Sequence, residues 1–380
     1  MRKKYQKLLE AMIKLFNTYV PKNISKICES VFLSGEIASG SYLNKLEAKF
    51  KSMLGSPCIS VNNSSNALHL ILDALNLKTS DKIAISPFTC LASSSAISNA
   101  NLKPVWVDIS HKTGEMCPDD LSKKIKEENI KAVIYYHFSC QTKNIKIIKK
   151  ICQKNNIKLI EDCSVSLGAK VDTNLVGTFG DFSFFSFYPN RQINAIDGGI
   201  IVSKDISALE MIIKLRKYGV DYSTFHKKNG EINQDSDIKK IGWNMQMNNL
   251  SAALAFSQIP SFKRRLKKNQ DNAALFYKNM KNNPHVEFLE EINLKAAFWT
   301  FPLLVERKND LLLHLQKNGI NASSVHIRND LYSGFYTNKR PLKNLENWEE
   351  KHLSIPCGWW LTSKQIMKIC LNINNFYNAN

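Results

Sequence analysis

A carboxylate and a guanidinium each follow an apolar run of the chain, at points where ligands commonly bind. Asp162 ends the run KLIED, and Arg191 comes shortly after the run FSFFSF. Both runs predict strands, and open α/β sheets bind ligands beyond the carboxyl ends of their strands. A carboxylate there can pair with a cationic ligand group, or it can cap a helix. An arginine, with a pKa above about 12, cannot act as a base, but it can bind a phosphate or carboxylate or form a salt bridge.

A second group of polar residues predicts an anion site. Asn63, Ser64, Ser65 and Asn66 open a predicted helix directly after the apolar run CISV. The free N–H groups at a helix N-terminus attract phosphate, and serine hydroxyls add donors. The same residues are also good helix caps, so the alternative is a purely structural role.

The segment from Glu161 to Asp205 resembles the cofactor core of the DegT/DnrJ/EryC1/StrS sugar aminotransferases, which use pyridoxal 5'-phosphate (PLP). It reads EDCSVSLGAKVDTNLVGTFGDFSFFSFYPNRQINAIDGGIIVSKD. The family pattern is close to EDAAQAxGA, then GDxxxFSFxxxK, then a polar run that ends in EGG. The lysine of that pattern binds PLP covalently, and this chain has Arg191 at its position. The resemblance runs from about Phe32 to the C-terminus.

The resemblance implies roles for five residues around the cofactor. Asp162 would pair with the pyridinium nitrogen of PLP, and Ser186 would bind the phosphate. The helix start reads NSSNAL where the family usually has SGTAAL, so Ser64 stands for the glycine and Ser65 for the threonine. Phe88, in SPFTCLAS, would stack on the pyridine ring.

The resemblance also implies contacts with a second subunit and with the substrate. Asn244, in GWNMQMNNLSAAL, corresponds to an asparagine that reaches the cofactor phosphate of the neighbouring subunit, which implies a homodimer with a shared active site. His326 and Arg328 lie in SSVHIRNDLYSGF, which resembles a family segment near the sugar-nucleotide end of the site. Taken alone, a histidine and an arginine on a loop are typical of a solvated surface.

Several positions depart from the family pattern together. Besides Arg191, they are Val165 for glutamine, Asp197 for glutamate, Gln246 for arginine and Cys140 for glycine. A related branch, the 3-dehydratases of deoxysugar synthesis, has histidine at the lysine position. It uses unanchored pyridoxamine 5'-phosphate (PMP), and it also has SFYP before that position, as this chain does.

We therefore expect a family member that acts on or binds a nucleotide-linked keto sugar in polysaccharide or glycan biosynthesis. It would hold PLP or PMP without a covalent bond, and conventional transamination would be absent or very slow. An enzyme of the aminotransferase family that uses PLP or PMP is favoured, with dehydratase chemistry as one option. The alternative is an inactive member, a pseudoenzyme, that binds a sugar nucleotide or assists an active paralogue. A nucleic-acid-binding protein is suggested only by the net charge of +19.

The pattern of elements predicts the fold that would position these residues. From about Ser56, short apolar runs alternate with helical patterns, which is typical of βαβ units and a mainly parallel sheet. FSFFSF and GGIIVS lie close together and predict two strands of a mixed sheet. The resemblance implies an aspartate-aminotransferase-like α/β fold (PLP fold type I). We expect an N-terminal helix and a large domain in residues 1–260, then a linking helix and a smaller α/β domain in residues 261–380.

Composition limits the class of protein. A chain of 380 residues exceeds one core, and it has no apolar run long enough to span a bilayer. The first 20 residues carry scattered charges, so we interpret them as an amphipathic helix rather than a signal peptide and expect a cytoplasmic protein. Lysines are spread along the chain, so we expect neither nucleic acid nor membrane as a partner. The dispersed cysteines predict reduced thiols and no metal site; they are Cys28, Cys58, Cys90, Cys117, Cys140, Cys152, Cys163, Cys357 and Cys370.

Overall fold

The fold was determined as a computed structural model, which describes residues 12–138, 144–289, 293–335 and 341–378. Apolar runs with high β-propensity form the strands. They are β1 (Cys58–Val61), β2 (Lys82–Ile85), β3 (Lys103–Trp106), β4 (Ile130–Tyr136), β5 (Lys158–Asp162), β6 (Lys170–Val171), β7 (Asn174–Leu175), β8 (Phe182–Ser186), β9 (Gly199–Ser203), β10 (Val286–Glu287), β11 (Phe301–Val305) and β12 (His352–Ile355).

Helices connect most of these strands, as the sequence alternation predicts. They are α1 (Ile24–Ser34), α2 (Ser41–Leu54), α3 (Ser64–Ala74), α4 (Leu91–Asn99), α5 (Pro118–Glu127), α6 (Ile145–Lys154), α7 (Ile206–Leu215), α8 (Tyr222–Phe225), α9 (Asn249–Met280), α10 (Lys308–Lys317), α11 (Lys343–Lys351) and α12 (Ser363–Asn378). A 3-10 turn spans Asn329–Leu331. No helix of the described ranges combines the length and apolar character needed to cross a membrane.

The large sheet has seven strands in the order β1-β9-β8-β5-β4-β2-β3. β9 is antiparallel to both of its neighbours, and the other pairs are parallel, so the predicted mixed sheet is confirmed. The register places Tyr136 of β4 beside Asp162 of β5. The carboxyl ends of these two central strands therefore share one edge of the sheet, where a ligand can bind.

Buried side chains cover both faces of this sheet. The adjacent residues Val133 and Ile134 of β4 point to opposite faces of the sheet, and they belong to two different core clusters. Helices pack on both sides, which explains why β4 and β5 are nearly continuous apolar runs rather than alternating ones. The rigid core fixes the strand ends that carry the site residues.

A smaller antiparallel sheet, in the order β10-β11-β12, lies in the C-terminal part of the chain with α10, α11 and α12. The long helix α9 leads into it and contains Pro260. The predicted domain boundary at residues 260/261 falls inside this continuous helix and remains a prediction. β12 (HLSI) was not predicted, because a four-residue run that includes a histidine gives a weak strand signal.

The N-terminal segment differs from the prediction. Residues 12–20 do not form a helix, and residues 1–11 lie outside the described ranges. The N–H of Ile13 donates to the carbonyl of Gly319 at 2.8 Å, and Ile13 accepts from the N–H of Asn321 at 2.9 Å. Ile13 and Leu15 are buried and Lys14 is exposed, which is the alternation of a strand. Pairing with a distant segment therefore overrides the local helical pattern.

The cysteines in the described ranges are all free thiols, as predicted. Cys140 lies outside those ranges. Burial is the main cause that raises the pKa of the Cys58 and Cys152 thiols to about 12, so these two are protonated and behave as small apolar side chains.

Candidate functional site

A small cleft lies beside the carboxyl end of β5. It brings together three of the predicted site residues, Ser64, Ser65 and Arg191, although they come from distant parts of the chain. Its other lining residues are Leu68, Cys90, Ala92, Ser93, Ser164 and Phe184. No lysine is among the lining residues in the described part of the chain.

Asp162 lies directly behind this lining and has no exposed surface. Its Oδ2 accepts from the hydroxyl of Ser93 at 2.6 Å, and its Oδ1 accepts from the N–H of Ser164 at 3.0 Å. The residues after Asp162 form turns, so it does not cap a helix. Burial raises the pKa of Asp162, while the hydrogen bonds and the positive charge of Arg191 partly oppose that rise. No ion pair compensates this buried carboxyl within the described residues, so a cationic ligand group fits beside it.

The N-terminus of α3 forms another wall of the cleft. Asn63 caps the helix, since its Oδ1 accepts from the N–H of Asn66 at 2.8 Å. The first turn has no acidic residue, and among the described contacts the N–H groups of Ser64 and Ser65 have no acceptor. Unsatisfied N–H groups and the helix dipole together favour a phosphate at this position.

β9 approaches this helix start closely, and that approach depends on a glycine. A Cβ atom built on Gly199 would lie 3.1 Å from both N and Cα of Ser64. Gly199 belongs to the predicted DGG run, so the glycine lets the strand backbone lie against the anion-binding turn. A side chain at this position would displace the N–H groups that face the cleft.

Arg191 follows β8 and has its guanidinium among aromatic rings. Its centre lies 4.8 Å from the ring centroid of Trp299 and 5.9 Å from that of Tyr188. Nη1 donates to the side-chain oxygen of Asn190 at 2.6 Å, while Nε is buried without a partner. No carboxylate of the described ranges lies within salt-bridge distance of Arg191, so the salt-bridge alternative is not realised. Burial lowers the pKa of Arg191, but from a value so high that the group stays charged.

His326, predicted as a substrate contact, lies beside Arg191. Its ring is stacked on Trp299 with centroids 5.9 Å apart, and its Nε2 lies 3.1 Å from the hydroxyl of Tyr136. Burial, with a smaller contribution from Arg191, lowers the pKa of His326 to about 3. The imidazole is therefore neutral at ordinary pH.

The other predicted residues do not line the cleft. Phe88 is 1% exposed and packs edge-on against Phe138, with centroids 5.2 Å apart, so it belongs to the core. Ser186 is buried, and its hydroxyl accepts from the N–H of Tyr188 at 3.3 Å. Arg328 is held by Asp330, with Nε–Oδ1 and Nη2–Oδ2 distances of 2.8 and 2.6 Å.

Asn244 is exposed on the loop before α9. Its backbone carbonyl accepts from the side chain of Asn62 at 3.3 Å, and it forms an isolated bridge with Lys217. The structure therefore positions the backbone of Asn244 near the start of α3 and leaves the residue accessible. Its predicted role towards a second subunit remains a prediction.

Four functional candidates were missed from the sequence. Cys90, two residues after Phe88, lines the cleft, and Ser93 and Ser164 line it and bind Asp162. Tyr136 binds His326 and ends β4 just as Asp162 ends β5. The strand-end rule that selects Asp162 also selects Tyr136, whereas nothing local distinguishes the two serines from ordinary helix and turn residues.

A second buried cluster lies on the opposite side of β5, where the possible ligand atoms of His137, Glu161 and Cys163 are all within 4.8 Å of one another. Glu161 already accepts from the N–H groups of Gly177, Phe179 and Gly180 at 2.7 to 2.9 Å. His137 Nε2 adds a fourth contact to Glu161 Oε2, at 2.7 Å. These bonds satisfy the carboxylate, so we assign Glu161 to fixing the loop that leads into β8.

Comparison with known proteins agrees with this architecture. The sequence model of the DegT/DnrJ/EryC1/StrS aminotransferase family matches residues 19–374. A GDP-perosamine synthase from Vibrio cholerae is 25% identical over 379 residues, which cover 97% of this chain and 100% of that protein.

Solved structures confirm the predicted fold class, PLP fold type I. A sugar aminotransferase from Micromonospora echinospora has a TM-score of 0.90 at 24% identity and covers 96% of this chain and 100% of that one. The E. coli GDP-4-keto-6-deoxy-D-mannose-3-dehydratase, solved with bound hydrated PLP, has a TM-score of 0.85 at 22% identity. That likeness covers 95% of this chain and 99% of the dehydratase.

Proposed function

The chain belongs to the DegT/DnrJ/EryC1/StrS aminotransferase family, and we propose that it acts on a nucleotide-linked keto sugar with PLP or PMP bound without a covalent bond. PLP supplies an electron sink when it is bound, because its protonated ring nitrogen withdraws electrons from the reacting carbon. The protein residues bind and orient the cofactor, as the following paragraphs argue.

The observation that carries this proposal is the pairing of an anion site with a buried acid in one cleft. Ser64 and Ser65 offer free N–H groups and hydroxyls for a phosphate, and Asp162 lies behind the lining with no cationic partner among the described residues. A phosphorylated pyridine satisfies both, because its phosphate binds the helix start and its protonated nitrogen neutralises the carboxylate. Ser93 and Ser164 orient Asp162 for that contact.

Non-covalent binding follows from the chemistry of Arg191. A guanidinium is protonated at any workable pH and does not attack an aldehyde as a lysine amine does. The cleft lining in the described ranges contains no lysine that could replace it. We therefore propose that the cofactor exchanges freely and that glutamate-dependent transamination is absent or very slow.

The substrate class is proposed from the relatives. The V. cholerae relative is named for GDP-perosamine synthesis, and a Campylobacter jejuni relative, 27% identical over 335 residues, is named as a transaminase of a UDP-linked amino sugar. The E. coli dehydratase is named for a GDP-linked keto sugar. We therefore propose a nucleotide-linked keto sugar as the substrate class of this chain. Of the two predicted substrate contacts, His326 is the better placed, because it lies beside Arg191.

A homodimer is part of the same proposal. Asn244 is exposed, and so are its loop neighbours Ile241 and Trp243, at 76% and 44%. Apolar side chains at that exposure favour an interface. Light scattering would test this, because a monomeric wild-type protein would contradict a shared active site.

The binding test uses PLP and PMP titrated into the purified protein by calorimetry. We expect reversible binding of at least one of them, no permanent adduct after borohydride treatment, and loss of binding in Asp162→Ala. A borohydride-trapped adduct on any lysine would contradict non-covalent binding, and unchanged affinity in Asp162→Ala would contradict the assigned cleft.

A second candidate, an inactive member that assists an active paralogue, is favoured by one observation: Arg191 cannot act as a base. The two candidates are separated by turnover with a panel of nucleotide keto-sugars, alone and with a lysine-bearing paralogue. Arg191→Lys would show whether the rest of the site supports amination. Turnover by the wild-type chain alone would refute the inactive candidate.

A further inference from the structure

The indole of Trp299 connects the cleft to the N-terminal segment, residues 12–20. The guanidinium of Arg191, which lines the cleft, lies 4.8 Å from the Trp299 centroid, and the indole N–H donates to the carbonyl of Asn190 at 3.0 Å. The ring of Phe16 stacks on the same indole, with centroids 4.3 Å apart and an angle of 20° between the rings. Trp299 is only 7% exposed, so a shift of its indole displaces the groups packed around it.

The beginning of the N-terminal segment is fixed by contacts with the C-terminal part of the chain. The N–H of Ile13 donates to the carbonyl of Gly319 at 2.8 Å, and the carbonyl of Lys14 accepts from the indole N–H of Trp360 at 3.2 Å. The backbone that leads into Phe16 is therefore held in one place, and so is the ring that stacks on the indole.

The end of the same segment holds the loop that carries Arg191. The carbonyl of Tyr19 accepts from the side-chain NH₂ group of Asn194 at 3.0 Å, and the Tyr19 ring lies 3.9 Å from the guanidinium centre of Arg265. Arg265 in turn donates to the carbonyl of Gln192, the residue directly after Arg191. The segment therefore supports the backbone of this loop as well as the indole beside its guanidinium.

The guanidinium of Arg191 depends on packing for its position. In the described contacts it has one hydrogen bond, from Nη1 to the side chain of Asn190, while Nε has none. Asp162 attracts it electrostatically, but the hydrogen bonds of that carboxylate go to other groups. The indole of Trp299 is the closer of the two rings over which the guanidinium lies. A long side chain that must be ordered when a ligand binds weakens that binding, so holding it in place beforehand favours the complex.

We propose that Phe16 is a positioning residue of the cleft. Through Trp299 it fixes the guanidinium of Arg191 at the cleft wall, which makes the N-terminal segment a functional part of the site. Phe16 itself does not line the cleft. The predicted effect on PLP binding rests on the proposed function, whereas the position of Arg191 is measurable in the free protein.

The first experiment measures how fast phenylglyoxal modifies Arg191 in the cofactor-free protein, with the modified residue identified by mass spectrometry. Arg264, which is exposed on α9, serves as the internal reference. In Phe16→Ala the indole loses its stacked ring, so Arg191 leaves its packed position more often and should react about threefold to tenfold faster relative to Arg264. Phe16→Tyr keeps the ring, so Arg191 should react as in wild type.

Phe288→Ala is the matched control. Phe16 and Phe288 are both half-buried and pack against the same core, but the ring of Phe288 lies against Tyr277, with centroids 5.1 Å apart. The control loses a similar apolar contact, so its Tm should fall as in Phe16→Ala while Arg191 keeps the wild-type rate. Equal acceleration in the control would show a general loosening and overturn the proposal. If Phe16→Ala does not fold, Phe16→Leu decides the outcome, because it removes the ring and keeps the apolar contact.

The second experiment measures the PLP affinity of the same proteins by calorimetry. Phe16→Ala should bind PLP about threefold to tenfold more weakly, because Arg191 must then be ordered on binding. Phe16→Tyr and Phe288→Ala should bind as wild type does. A wild-type modification rate or a wild-type PLP affinity in Phe16→Ala would overturn the positioning role and leave the cofactor cleft standing. Failure of the wild-type protein to bind PLP would overturn the cofactor cleft, and the modification rates would still decide whether Phe16 positions Arg191.

Discussion

Replacing Asp162 by asparagine should have opposite effects on the free protein and on its complex with PLP. Burial raises the pKa of this carboxyl, and the positive charge of Arg191 opposes that rise only in part. Asparagine keeps an oxygen for the N–H of Ser164 and retains a polar contact with Ser93. It removes the charge, however, so the cofactor-free variant should be more stable at neutral pH while its affinity for PLP falls.

The expected magnitudes follow from the burial of the proposed ion pair between Asp162 and the pyridinium nitrogen of PLP. Losing one partner of a buried, hydrogen-bonded charge pair costs about 2–5 kcal/mol, which corresponds to a loss of PLP affinity of at least about 30-fold. The gain in free-protein stability is smaller, about 1 kcal/mol, because Ser93 and Ser164 already solvate the carboxylate. A gain of that size raises Tm by about 2–4 °C or less in a chain of this length.

The sign of the pH dependence provides a second check. A carboxyl whose folded pKa exceeds its unfolded pKa adds stability below the unfolded value and loses it as the pH rises through the folded value. The advantage of Asp162→Asn should therefore be present at neutral pH and disappear as the pH falls towards 3.8, the unfolded value.

Thermal unfolding monitored by circular dichroism measures stability, and calorimetry measures PLP affinity. Asp205→Asn is the matched control, because Asp205 is exposed and caps α7 by accepting from the N–H of Ala208 at 3.0 Å. Asparagine caps a helix equally well, so this variant should change neither Tm nor affinity appreciably. The reasoning fails if Asp162→Asn lowers the Tm of the free protein at neutral pH or binds PLP as wild type does.

Three further predictions concern the wall of the cleft and two buried groups outside it. Gly199→Ala places a Cβ 3.1 Å from N and Cα of Ser64 and displaces the N–H groups proposed to bind phosphate. The affinity for PLP, measured by calorimetry, should therefore fall about tenfold or more. An affinity equal to that of wild type would refute the role of the close approach. Burial lowers the pKa of His352 to about 3, so its proton uptake on unfolding makes stability fall as the pH drops from 6.5 towards 3. His352→Gln should flatten that fall in urea denaturation by about 1.4 kcal/mol per pH unit, and an unchanged slope would contradict it. Glu161→Gln turns an NH₂ group towards backbone N–H donors, including Phe179, and should cost about 3 kcal/mol or more of unfolding free energy; a cost below 1 kcal/mol would argue against the assigned role.

Much of the fold could be predicted because its signals are local. β4 and β5 are buried on both faces, so they are continuous apolar runs, and the helices between strands have their own apolar periodicity. The closeness of FSFFSF and GGIIVS predicted a mixed sheet, and these two strands pair antiparallel in the structure. The strand-end rule selected Asp162, and the helix-start rule selected Ser64 and Ser65.

The misses share a physical cause, which is contact between segments distant in sequence. The segment that follows α10, at Ile320, pairs with Ile13 and removes the helical conformation that the N-terminal pattern favours. Phe88 and Cys90 are two residues apart, and only the packing of Phe138 against Phe88 decides which of them faces the cleft. Arg328 was predicted as a substrate contact, but the distant helix α11 brings Glu346 and Glu349 to 3.7 Å from its Nη1.

The sequence alone determined the sheet and the order of its elements along the chain, since these depend on local patterning. The tertiary structure alone decided the electrostatic state of the site. Tyr136 and His326 are 190 residues apart, yet they bind each other beside Arg191. Burial among such distant groups keeps His326 neutral, raises the pKa of Asp162 and lowers the pKa of Arg191, because desolvation depends on what surrounds a group in space.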